Sequence, residues 1–187
     1  MFAVFSVGIP ETTVAQKNQS SSIPKAGFRA EYLKQLDEVA KKIIDLALAV
    51  PKEKYTWRPA EGVRSISEVY LHIARSNYFF TRFVGVQLPK NLDLGSDAST
   101  WEKSTMEKAK IIEILKRSLD HVRQALLNTS DAELENPIKM FGRDTTIRDA
   151  FFTIALHEHE HLGQSIAYAR MIRVVPPWTA QPQANQE

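Results

Sequence analysis

The 187-residue chain contains no cysteine. That excludes disulfides, thiolate metal sites and cysteine nucleophiles together, and leaves any tight metal site to His and carboxylate side chains. Long apolar runs are missing too, since none approaches the roughly 18–20 residues of a membrane span, so no membrane partner is expected. A basic stripe is also missing: 24 Lys and Arg stand against 22 Asp and Glu, interspersed, for a formal net charge of +2. Without a basic patch there is no electrostatic footprint for nucleic acid, and none is expected as a partner. There is no internal repeat and no low-complexity domain.

With 43% hydrophobic residues, the chain is long enough for one domain with a proper core. Residues 1–26 read as a flexible lead-in, 27–178 as the folded body and 179–187 as a tail. The start, Met1 to Gln16, lacks the basic segment and the longer apolar core of a signal peptide, so a cytoplasmic setting is expected. An exported protein is the alternative, because Val14-Ala15-Gln16 resembles a cleavage point.

Histidine, by contrast, is concentrated. Three of the five lie in the stretch Ile154 to Arg170, which carries no proline and reads as one long amphipathic helix ending near Arg173, ahead of Pro176-Pro177. Residues four apart on a helix stand about 5–6 Å apart at Cβ, so His157 and His161 can reach one ion together. His159 sits about 200° around from His157 and belongs to the wet side. Glu158 and Glu160 flank the ligand face and read as solvated surface. Gln164 could orient a bound water, and Tyr168 reads as core packing.

Earlier segments supply three more long helices. The first spans about Phe28 to Val50, with Leu33, Leu36, Ala40, Ile43, Ile44 and Ala47 inward and Pro51 as its stop. A connector containing Tyr55 and Trp57 follows, and then a capping box of Ser65 and Glu68 opens a helix to about Val84. His72 lies on the apolar face of that helix. It is either a core histidine or a third ligand opposite His157 and His161, and a three-histidine set with an open position is what catalytic zinc uses. Glu68, one turn before His72, is a cap or a partner of that histidine.

Leu88 to Thr100 reads as a loop. Ser104 and Glu107 predict a second capping box for a helix to about Leu127, with Ile111, Ile112, Leu115, Leu119, Val122 and Leu126 inward and His121 on the surface. Ser130 to Glu135 reads as a helical turn, Pro137 to Thr145 as a loop or small hairpin, and Thr146 with Asp149 as the cap of the last helix. Four long helices with one substantial crossover connection predict an all-α four-helix bundle.

His157-Glu158-His159-Glu160-His161 contains the zinc-protease pattern His-Glu-x-x-His. Its context argues against a protease, because Gln164 and Ala167 stand where a metzincin needs glycine and a third histidine, and the only acid after His161 is Glu187. A ferritin-like di-iron site needs two Glu-x-x-His pairs, and only Glu158 with His161 supplies one.

Three pieces in this order and spacing carry a family resemblance: Trp57 through Ala74, His157 through Gln164, and Tyr168-Ala-Arg-Met with the prolines after it. From about Phe28 to Pro177 the chain resembles the DinB/YfiT-like superfamily. The resemblance implies a four-helix bundle with a long crossover, and a divalent metal held by one histidine of the second helix and two of the last, here His72, His157 and His161. Zn or Ni is the expected ion. It further implies a small-molecule substrate, transfer of a low-molecular-weight thiol to an electrophile as the reaction, and a homodimer. A metal-dependent hydrolase and a non-catalytic binding bundle are the alternatives.

Overall fold

A computed structural model describes residues 23–179. The expected lead-in and tail lie almost wholly outside the described residues. Four long helices, α1 (Gly27–Ala49), α2 (Ile66–Thr81), α4 (Lys108–Leu127) and α5 (Ile147–Met171), form the expected bundle. A short helix α3 (Ala98–Glu102) lies in the α2 to α4 crossover, and a hairpin of β1 (Pro137–Met140) and β2 (Arg143–Thr146) precedes α5. Both α1 and α2 pack on α4 and α5, which places α1 and α2 at opposite corners.

The apolar stripe of α4 is buried as its spacing predicts, from Ile111 and Leu115 through Val122 and Leu126. Each such side chain contributes about 1.5–3 kcal/mol by leaving water. On α1, Leu33, Leu36, Ile43 and Ala47 are buried with Val39 and Leu46. Helix α2 is apolar over more than one stripe, because α3, α4 and α5 all contact it; Tyr70, Leu71 and Ala74 are as buried as Val69 and Ile73. The connector is ordered by Tyr55, which is fully buried and donates its hydroxyl to the Ala47 carbonyl at 2.7 Å. That bond satisfies one of the carbonyls left free at the end of α1.

Side-chain caps mark the starts of α2, α3 and α5. The Ser65–Glu68 box is present in both directions, with the Ser65 N–H donating to Glu68 Oε2 at 2.8 Å and the Glu68 N–H to Ser65 Oγ at 3.3 Å. Thr146 Oγ1 accepts from the Asp149 N–H at 3.3 Å and opens α5. The box expected at Ser104 and Glu107 does not form. Thr105 Oγ1 accepts from the Glu107 N–H instead, and α4 begins only at Lys108. The helical signal upstream belongs to Asp97, whose carboxylate accepts from the Ser99 and Thr100 N–H groups and starts α3 inside the stretch expected to be a loop.

Candidate metal centre

Packing of α2 against α5 brings His72 opposite His157 and His161. His157 Nε2 lies 3.1 Å from His72 Nε2 and 3.1 Å from His161 Nε2, and the three ligand atoms all fall within 4.8 Å of one another. Ligands around a tetrahedral ion with bonds of about 2.0–2.1 Å stand about 3.3 Å apart, so the convergence has the right scale. The site sits at the edge of the core: His161 is buried, while His72 keeps 19% of its side chain exposed.

Outer partners fix two of the rings. His72 Nδ1–H donates to Glu102 Oε1 at 2.6 Å, and Glu102 is held by Arg64, whose Nε and Nη2 donate to its two oxygens at 2.7 and 3.2 Å. His161 Nδ1–H donates to Gln164 Oε1 at 2.8 Å, and the Gln164 amide donates to the Tyr168 hydroxyl at 3.1 Å. Tyr168 in turn meets the Trp57 ring edge-on at 5.5 Å. Gln164 therefore orients a histidine. With both Nδ1 protons engaged, the Nε2 lone pairs of His72 and His161 face the centre.

His157 completes an arrangement that a cation suits and protons do not. Burial drives its pKa down to about 3, with the facing histidines adding to the effect, so it is neutral at pH 7. One N–H can serve only one of two facing lone pairs, and the buried Nδ1 of His157 has no partner. A divalent ion accepting all three lone pairs removes the conflict, and the donor set fits such an ion. Burial also lowers the pKa of His72, outweighing the opposing bond from Glu102, and the Arg64 charge pushes the same way. Among the described residues, no other His, Asp or Glu joins this ligand group.

Several neighbours depart from expectation. Glu158, expected on the surface, is fully buried, because α5 at that point packs against α1 and α2, so its buried arc is wider than the ligand stripe. Burial raises its carboxyl to about 8, with only the Asn77 side chain pulling it down. His121 is half-buried, with Nε2 3.0 Å from Thr81 Oγ1 and its ring beside Tyr78, and it lines a cavity of about 550 Å³ away from the three histidines. It could not be placed from α4 periodicity, because the crossover folds over that flank. His159 and Glu160 are exposed, as expected. Glu68 serves as the cap, paired with Arg58 at 3.0 Å. Although burial opposes ionisation, bonds from Ser65 and Arg58 hold its carboxyl below the usual range.

Nothing in the sequence marks Glu102 and Arg64 as parts of the site. The five residues of α3 are too few to show a period, and the Asp97 cap is the one local signal that a helix starts there.

A family model for the DinB superfamily matches residues 35–165. The chain belongs to the DinB superfamily. Solved structures with the same fold include a DinB-like protein from Bacillus cereus, at 16% identity and a TM-score of 0.67 over 78% of this chain and 93% of that one. A second, the DinB-like protein YjoA from Bacillus subtilis, is 21% identical with a TM-score of 0.60 over 76% and 92%. YfiT from Bacillus subtilis, described as a probable metal-dependent hydrolase with an unusual four-helix bundle topology, is 15% identical with a TM-score of 0.62 over 81% and 93%. A search of curated proteins finds no match. Within the DinB fold of this chain, the second and last long helices carry the three histidines.

Proposed function

We propose that this DinB-superfamily chain is a metal-dependent enzyme that acts on a small molecule at His72, His157 and His161, with Zn or Ni as the ion. The observation that carries the reading is the convergence of three histidines, with His157 Nε2 at 3.1 Å from Nε2 of both His72 and His161, and two of the rings locked by Glu102 and Gln164. A bound ion would supply Lewis acidity, lowering the pKa of a thiol or water that shares it. The chain's own part is positional: Glu102 fixes the His72 ring, Gln164 fixes the His161 ring, and burial keeps His157 unprotonated. The Arg64 charge lowers the pKa of both His72 and His157, while its guanidinium is itself paired with both oxygens of Glu102.

Transfer of a low-molecular-weight thiol to an electrophile is the reaction proposed first, in keeping with the resemblance and with a cytoplasmic setting. Hydrolysis is the second reading, supported by the description of YfiT. The two are separated by incubating metal-loaded protein with an electrophilic ester in the presence and absence of a small thiol. A thiol-dependent adduct supports transfer, and an acid product formed without thiol supports hydrolysis. Absence of both from protein shown to hold one ion per chain counts against an enzyme.

A homodimer belongs to the same proposal. Phe152 and Leu156 lie one turn apart on α5 with 54% and 57% of their surface exposed, an apolar pair that self-association would cover. Sedimentation of the wild type and of a Phe152→Ser, Leu156→Ser variant tests it, and a wild type that stays monomeric at micromolar concentration rejects it. Among the described residues, no helix is long and apolar enough to cross a membrane.

A further inference from the structure

The tip of the β1–β2 hairpin carries a residue that local chemistry does not favour. Met140 pairs with Arg143, so the turn is the two residues Phe141 and Gly142, with φ of 51° and 77°. Two positive φ values in a two-residue hairpin are the type I′ arrangement, for which Asn-Gly is the preferred dipeptide. Gly142 meets no steric cost. Phe141 does, and left-handed backbone at a bulky residue persists only where the surroundings hold it and points to a function.

The surroundings are aromatic and adjoin the three histidines. The Phe141 ring lies 5.2 Å from Phe83, 6.1 Å from Phe80 and 6.3 Å from Phe79. Phe80 meets His157 edge-on at 5.2 Å, so the ring cluster runs without a break from the hairpin tip to the ligand group. Phe141 nevertheless keeps 56% of its surface exposed, and Phe79 and Phe83 are only half-buried. The described residues thus leave more than half of the Phe141 surface uncovered.

We propose that Phe79, Phe80, Phe83 and Phe141 form the apolar subsite of the metal centre, and that it selects substrates carrying a flat aromatic or similarly apolar group next to the atom that reaches the ion. This rests on the metal-site reading above and adds the substrate class to it. Contacts with Phe79, Phe80 and Phe83 hold Phe141 in place against the strain of the turn, so this wall of the subsite is set before ligand arrives and less ordering cost falls on binding.

Co(II)-loaded full-length protein, titrated with benzohydroxamate and with acetohydroxamate and followed by its visible bands, tests the subsite without reference to turnover. The wild type should bind the phenyl compound at least about tenfold more tightly, the gain expected from burying part of one ring. Phe141→Asn installs the favoured turn dipeptide, so its melting temperature should hold or rise while the preference falls toward that of the free ligands. Phe79→Leu, which leaves the turn untouched, should lower the preference as well. A wild type indifferent to the phenyl group, or a preference that survives both substitutions, overturns the subsite. Failure of the protein to take up Co(II) at all is a different result, which overturns the metal-site reading and the subsite with it.

Discussion

Glu102 accepts the Nδ1 proton of His72 at 2.6 Å, from a five-residue helix lying in the crossover between α2 and α4. A carboxylate in that position fixes the ring tautomer and makes the opposite nitrogen a better donor to a cation. It also ties the longest connection in the bundle to the ligand group.

Replacing Glu102 should therefore weaken metal binding without removing a ligand. Partners of this kind contribute about 10–100-fold in affinity, and Glu102→Ala is expected within that range in competition with a chromophoric chelator. Glu102→Gln, whose amide oxygen can still accept from Nδ1, should lose less. Arg64→Ala leaves the carboxylate in place and should fall between Glu102→Gln and the wild type. Equal affinity in wild type and Glu102→Ala would mean that His72 is positioned by packing alone.

The same pair marks the limit of what could be read from the sequence. Helical spacing put His157 and His161 on one face and His72 on the apolar side of its own helix, because it sets the direction of a side chain over many turns, but His72 stayed open between core residue and ligand, and only the family resemblance joined the three. Glu102 was not legible, since its orientation depends on where a short helix lands after a crossover with no period of its own. Glu158 failed for another reason. The charged character of glutamate argued for solvent, and only the packing of α1 and α2 around α5 shows that its side of the helix is interior. The segment Pro137 to Thr145 was legible only as a loop or small hairpin, and the aromatic cluster at its tip required the position of the turn relative to α2.

Glu158 predicts an unusual dependence of stability on pH. Its carboxyl is raised from 4.5 to about 8 in the folded chain. Between those values the unfolded state gives up a proton that the folded state keeps, so the stability of metal-free protein should fall as pH rises through this window. The contribution is fully present below 4.5 and lost by about 8. Glu158→Gln keeps the shape without the titration, and should flatten that slope and raise the midpoint of urea unfolding at pH 7.5. An unchanged slope in the variant would show that Glu158 is ionised in the folded protein.

The histidines act in the opposite direction. A histidine whose folded pKa is depressed leaves the unfolded state binding more protons, so its contribution to stability is present above 6.5 and lost as pH falls below it. For His157 the window extends down to about 3. Substituting His157 by an apolar residue of similar volume should make the metal-free protein less sensitive to acid, provided that the orphaned Nδ1 is removed with the ring. Urea midpoints of wild type and His157→Leu at pH 7 and pH 5 provide the comparison, with the smaller difference expected in the variant.

Protons and metal compete for the same nitrogens, so these shifts also set how metal binding responds to acid. Three imidazoles with ordinary values would together take up to three protons on losing an ion below pH 6. In this site His157 stays neutral down to about pH 3, and His72 takes up its proton below the usual 6.5. The plot of log Kd for Zn against pH should accordingly have a slope of fewer than three protons between pH 5 and 6, measured by competition with a chelator of known proton dependence. Removing the Arg64 charge lifts one of the influences that hold both rings neutral, so Arg64→Ala should steepen the plot as well as lower the affinity. A full three-proton slope in the wild type would mean that solvent reaches the ligand face far more freely than the half-buried rings of His72 and His157 imply.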